Sequence, residues 1–198
     1  DALYDAFRRK ETFATSGPRM RARFFAGTDY SDDIMAAESM IEKAYAGGVP
    51  MGSDLVTGGQ APSFIAWASA DPRGTALQRL QIVKGWEKNG ETYEAVYDVA
   101  CSDSLLPDPE THRCPDNGAK VNLADCSITE GVGAIELKAL WQDPDYDSDS
   151  RAFYYLRALE NPTCRWSTWD ALRAGVEPRP DLHTTLQERV WSSPIWVR

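Results

Sequence analysis

Leu77–Ala100 reads LQRLQIVKGWEKNGETYEAVYDVA, and its alternation decides the fold. Successive side chains of an extended chain point to opposite faces, so Leu80, Ile82 and Lys84 oppose Gln81, Val83 and Gly85. Tyr93, Ala95, Tyr97 and Val99 share one face of the return segment. Between them, within Glu87–Glu91, lies Asn89-Gly90, whose residues both accept the positive φ of a tight hairpin turn. Leu77–Trp86 and Thr92–Ala100 are therefore expected to pair antiparallel.

The same period extends in both directions. Ser63–Ser69 sets Phe64, Ala66 and Ala68 against Ile65 and Trp67, and Asp71-Pro72-Arg73-Gly74 turns the chain after it. Ala134–Trp141 and Ala152–Glu160 read as two further strands around an acidic turn. Thr12–Ala26 is extended, in two pieces about Ser16-Gly17-Pro18. Two short helices are expected, one over Asp1–Lys10, the other from an Asp32/Asp33 cap through Asp33–Ala46 to Gly47-Gly48. The Gly- and Pro-broken segment Gly47–Pro62 reads as loop. This spacing predicts a mainly β chain with short helices, an antiparallel β-sandwich-like domain. Beyond Pro162, Gly175, Pro178, Pro180 and Pro194 prevent long elements while Trp166, Trp169, Trp191 and Trp196 favour burial, so a Trp/Pro-rich C-terminal tail is expected to wrap over the sandwich.

Composition supports one core. The chain has 198 residues, 42% of them apolar, with 7 Trp, 8 Tyr and 6 Phe, enough to fill one domain. Thirty acidic against 21 basic side chains leave a net charge of -9, which repels phosphate backbones and argues against nucleic acid as a partner. No apolar run approaches the roughly 20 residues of a membrane span. No leader-like segment opens the sequence, so any export signal is expected to have been removed or to belong to a longer parent.

Chemistry-bearing patterns are few. His112 and His183 are the two histidines, and no Cys-x-x-Cys pair exists to build a zinc site. Cys101, Cys114, Cys126 and Cys164 are an even set, expected to form two disulfides in an oxidising compartment. Three pairings are open; Cys114 with Cys126 and Cys101 with Cys164 is the favoured one, since Ser102–Ser127 is a long polar loop that needs restraint. Asp143–Asp149 places carboxylates at alternate positions but lacks the glycine and terminal glutamate of a calcium loop, and reads as a solvated turn. Gly-x-Ser-x-Gly and phosphate-binding glycine motifs are absent. Arg19, Arg165 and Arg189 stand in aromatic or proline company, where a guanidinium can clamp an anion, and are the candidate substrate-binding residues.

Leu3–Arg19 (LYDAFRRKETFATSGPR), Gly48–Leu55 (GVPMGSDL), Leu77–Trp86, Val96–Asp103 (VYDVACSD), Trp141–Trp166 (WQDPDYDSDSRAFYYLRALENPTCRW) and Gln187–Trp196 (QERVWSSPIW) together resemble the C-terminal third of the bacterial domain-of-unknown-function family 3604. The resemblance implies an upstream region, rich in His and Asp, similar to polymerase-and-histidinol-phosphatase-type metallohydrolases, with a divalent metal held there and no cofactor in this chain. It also implies that residues 1–30 are the closing helix and strand of that barrel, that residues 31–198 are the β extension, and that the location is periplasmic or extracellular. The expected role is thus an accessory region of a metal-dependent hydrolase that acts on an ester, phosphate or sulfate, not catalytic alone, with the barrel as its partner. A free-standing binding or protein-interaction module is the alternative. No catalytic residue and no metal ligand transfers onto this chain.

Overall fold

The computed structural model describes residues Asp1–Arg198. In chain order the elements are α1 (Ala2–Arg9), β1 (Phe13–Thr15), β2 (Arg21–Gly27), a 3-10 turn (Ile34–Ala36), α2 (Met40–Gly47), β3 (Val49–Pro50), β4 (Asp54–Leu55), β5 (Ser63–Ser69), β6 (Leu77–Lys88), β7 (Glu91–Cys101), β8 (Glu136–Gln142), β9 (Ala152–Glu160), β10 (Thr163–Cys164), α3 (Trp166–Ala174), β11 (Thr185–Leu186), β12 (Arg189–Ser192) and β13 (Ile195–Val197). Two mainly antiparallel sheets face each other. One is a four-stranded sheet in the order β3-β2-β5-β8. In the other, β6 lies between β7 and β9, and the far edge of β9 carries β12 and β13, which are extended in turn by β1 and, in parallel, by β4.

The decisive hairpin forms as expected and is tighter than its sequence suggests. β6 and β7 pair from Arg79–Cys101 to Lys88–Glu91, leaving Asn89 (φ 56°) and Gly90 (φ 82°) as a two-residue turn. Ser63–Ser69 and Ala152–Glu160 are strands over their expected lengths. The core is their alternation made solid: Phe24, Phe64, Leu80, Ile82, Tyr154 and Leu156 are fully buried between the sheets. Burying side chains of this size contributes roughly 1.5–3 kcal/mol each. On the outer face of the smaller sheet, Phe25 and Ile65 are covered by Ile34, Met40 and Ala44. The helix expected over Asp33–Ala46 is broken, because the chain becomes extended at Ala37 (ψ 134°) between the 3-10 turn and α2.

The C-terminal segment departs from expectation. Rather than wrapping over a finished sandwich, it supplies strands to it: Val190 pairs with Ala158 and Ile195 with Tyr154. Pro194 interrupts this edge between β12 and β13, and there the Ser192 hydroxyl accepts the Leu156 N–H at 2.9 Å. Nor are the tail's tryptophans sequestered, since Trp166, Trp169 and Trp196 are 65%, 39% and 46% exposed. Trp166 and Trp169 lie on α3 and Trp196 on β13, and arginines lie over Trp169 and Trp191. Phe13–Gly27, within the region that the resemblance assigns to a barrel, pairs inside the sandwich, β1 with β12 and β2 between β3 and β5.

All four cysteines are oxidised, but the favoured pairing is overturned. Cys101 joins Cys114 and Cys126 joins Cys164, with Cα–Cα distances of 5.6 and 5.7 Å. The long loop returns along β7, where Asp98 N–H donates to His112 O and the Cys114 N–H to the Asp98 carboxylate, which brings Cys114 beside the strand's last residue. Cys126 is thereby free to reach β10. Closed disulfides point to an oxidising compartment outside the cytoplasm. No helix is long and apolar enough to cross a membrane.

Candidate functional site

Antiparallel pairing turns the outward residues of the larger sheet into rungs that cross several strands. One rung reads Asp98 (β7), Gln81 (β6), Arg157 (β9), Trp191 (β12) and Ala14 (β1). The side chains bond along it. Arg157 Nε donates to Gln81 Oε1 at 2.7 Å, and Gln81 Nε2 donates to Asp98 Oδ1 at 2.6 Å. Beside it, Leu159 is paired with both Arg79 and Arg189, and Arg113 arrives from the loop held by Cys101–Cys114.

These elements enclose a cleft of about 520 Å³ into which Arg79, Arg113, Arg157 and Arg189 converge. Asp98 is the one carboxylate in its lining. It lies 3.6 Å from Arg113 and 4.0 Å from Arg79, and it also accepts the Cys114 N–H at 2.7 Å. Four guanidinium charges against one carboxylate leave an excess of three positive charges, on a chain whose net charge is -9. The excess acts on Arg79, whose pKa is drawn down chiefly by burial and further by Arg113, Arg157 and Arg189, with Asp98 opposing. Arg79 Nε is buried without a hydrogen-bond partner. Trp191 lies under Arg189, 5.8 Å from ring centroid to guanidinium. Convergent, incompletely neutralised guanidiniums with fixed partners are suited to planar bidentate recognition of a carboxylate, or of a phosphate or sulfate group.

Of the three arginines singled out in the sequence, the structure brings only Arg189 into this cleft. Arg19 is exposed, and its backbone N–H donates to Asp71 Oδ2 at 2.6 Å. Arg165 caps α3, its Nε buried without a partner. Arg79, Arg113 and Arg157 went unnoticed because their proximity depends on β6 lying next to β9, which no local pattern encodes. The available signal was alternation, which sets Gln81 on the face opposite Leu80 and Ile82.

Another polar cluster is structural. Asp143, expected in a solvated turn, is buried, where it pairs with Lys84 Nζ and accepts the Tyr154 hydroxyl, each at 2.6 Å. Burial and that carboxylate push the Tyr154 hydroxyl pKa up. Lys84 also donates to Asp145 O at 2.8 Å and lies 5.0 Å from the Trp86 ring centroid. These groups satisfy one another and bolt the acidic turn to β6 and β9. As for metals, no three His, Cys, Asp or Glu side chains gather into a group able to hold one, and all four cysteines are used in disulfides; the divalent metal that the resemblance implies belongs to the upstream region.

The sequence model of DUF3604, described as "Protein of unknown function (DUF3604)", matches residues 1–198. This chain belongs to the DUF3604 family. No curated protein and no solved structure matches the DUF3604 chain.

Proposed function

We propose that this DUF3604 chain is the accessory β-sandwich of a metal-dependent hydrolase and that it holds an anionic group of the substrate while a partner barrel, similar to polymerase-and-histidinol-phosphatase-type metallohydrolases, holds the metal and performs the hydrolysis. The observation that carries this reading is the four-arginine cleft with its single carboxylate. The partner is supported by α1, none of whose residues is buried: Leu3, Tyr4 and Phe7 are 79%, 63% and 70% exposed on one short helix, an apolar face of the kind that a neighbouring domain covers. With two disulfides already closed, the reading places the protein in the periplasm or outside the cell.

The experiment has two arms. Tryptophan fluorescence of the isolated chain, with Trp191 beside the cleft, follows titration with inorganic sulfate, phosphate and galacturonate; ester, phosphate-ester and sulfate-ester hydrolysis is assayed for the chain and for its full-length parent. The expected result is saturable anion binding by the chain, lost in Arg157→Ala, with no turnover. In the parent, turnover is metal-dependent and Arg157→Ala raises KM about tenfold while kcat is retained. Turnover by the isolated chain, or parent kinetics indifferent to Arg157→Ala, overturns the reading.

A further inference from the structure

Four residues further along β6, β7 and β9, the same outer face carries a second rung of different chemistry, completed by other strands: Glu94 (β7), Gly85 (β6), Phe153 (β9), Trp196 (β13) and Asp54 (β4). A Cβ on Gly85 would fall 2.3 Å from the tip of the Phe153 ring, so a larger residue there would push the ring aside. The ring thus lies over the glycine, and Trp196 packs beside it with centroids 5.2 Å apart. The two rings line a cleft of about 700 Å³ with Trp86 and Tyr93, and the carboxylates Glu94 and Asp54 flank the aromatic pair. Trp196 is 46% exposed, which leaves an aromatic surface open to solvent.

We propose that this sheet face binds an anionic oligosaccharide, one sugar ring stacked on Phe153 and Trp196 and an acidic group, carboxylate or sulfate ester, held by the arginine cleft. The proposal rests on the anion-site reading above and names its substrate class. A pyranose is amphipathic: its C–H face packs on an aromatic ring, and its hydroxyls donate to carboxylates. Glu94 suits such donors, Asp54 is paired with Arg198 at 3.8 Å, and Asp54, Glu87 and Glu94 against Arg151 and Arg198 leave the lining with one negative charge in excess, which disfavours the phosphates of a nucleic acid. A peptide would instead seek backbone pairing at a sheet edge, whereas both clefts lie on the face. Gln81 and Gly85 are four residues apart on β6, about 14 Å at strand rise, the span of a short oligosaccharide and not of one sugar. Two linked subsites then bind as one ligand, with the second contact made at high effective concentration.

Calorimetric titration of the folded chain with galacturonate, hexagalacturonate, a sulfated hexasaccharide, neutral cellohexaose, an oligothymidylate and polyglutamate tests this. An acidic hexasaccharide is expected to bind at least tenfold tighter than galacturonate, and whichever of the uronate and sulfated arms binds more tightly identifies the acidic group. Trp196→Ala should lower hexasaccharide affinity about tenfold and leave binding of inorganic sulfate and galacturonate unchanged, while Arg157→Ala lowers both; unaltered melting temperatures show that each variant is folded. Tightest binding of the oligothymidylate or polyglutamate, equal binding of cellohexaose, or indifference to Trp196→Ala overturns the oligosaccharide assignment. If simple anions bind and chain length adds nothing, that assignment fails while the anion site stands. If no anion binds, both fail.

Discussion

Glu160 is 1% exposed, and its Oε1 has no hydrogen-bond partner. Burial, with added repulsion from Asp71 and Glu188, pushes its carboxyl up to about 7 from 4.5. A carboxyl whose pKa is raised by folding is neutral in both states at low pH, and stability falls as the unfolded chain ionises first. The DUF3604 chain should therefore lose stability between about pH 4.5 and 7. Glu160→Gln should remove much of that slope, gaining about 1–3 kcal/mol at pH 8 and little at pH 4.5, as read by urea denaturation at the two pH values. Lys84 and Asp143 obey the opposite logic, because each is buried and already paired. Lys84→Met leaves Asp143 charged and without its cation and should cost about 3–5 kcal/mol, whereas adding Asp143→Asn should recover part of the loss. A double variant no more stable than the single one would refute the pairing as the cause.

At the scale of elements, alternation carried most of the information. Strands β5, β6, β7, β8 and β9 were legible because each sets apolar against polar or opposite-facing residues with period 2, and Asn89-Gly90 fixed the hairpin register through backbone conformation alone. The tail was misread since β12 and β13 are only four and three residues long, too short for a period to register and separated by Pro194. Their place is set by β9, which offers a long unpaired edge. The candidate site was legible at Arg189 alone; its other arginines come from β6, β9 and a disulfide-bonded loop, and non-consecutive strand neighbours leave no local trace. The cysteine pairing failed for a related reason, because the path of the polar loop is set by Asp98, which draws in Cys114. Closing the 13-residue interval from Cys101 to Cys114 should contribute about 3 kcal/mol. Replacing both cysteines by alanine should lower the melting temperature and, by releasing Arg113, weaken anion binding several-fold. Peptide mapping without reductant should recover Cys101–Cys114 and Cys126–Cys164 pairs.

For the whole molecule, charge and exposure are distributed unevenly, and the unevenness is testable. The arginine cleft is an island of positive charge on an acidic chain, and guanidiniums stay charged throughout the ordinary pH range. Anion binding should accordingly vary little between pH 6 and 9 yet fall as ionic strength rises and the Debye length shrinks from about 10 Å at 0.1 M to about 3 Å at 1 M. At the opposite extreme of exposure, α1 contributes no buried residue to this domain. Phe7→Asp should leave the unfolding free energy of the isolated chain within about 0.5 kcal/mol of wild type, whereas Phe24→Ala, emptied from the sealed core, should cost about 3–5 kcal/mol. The contrast separates residues that hold the sandwich together from residues that it does not need for folding. If the α1 face docks on a catalytic barrel, Phe7→Asp in the full-length parent should loosen the two parts, visible as faster proteolysis between them and as separate melting transitions, with anion binding by the sandwich unchanged. A single cooperative transition that Phe7→Asp does not move, together with unaltered proteolysis, would mean that the α1 face docks on no such barrel.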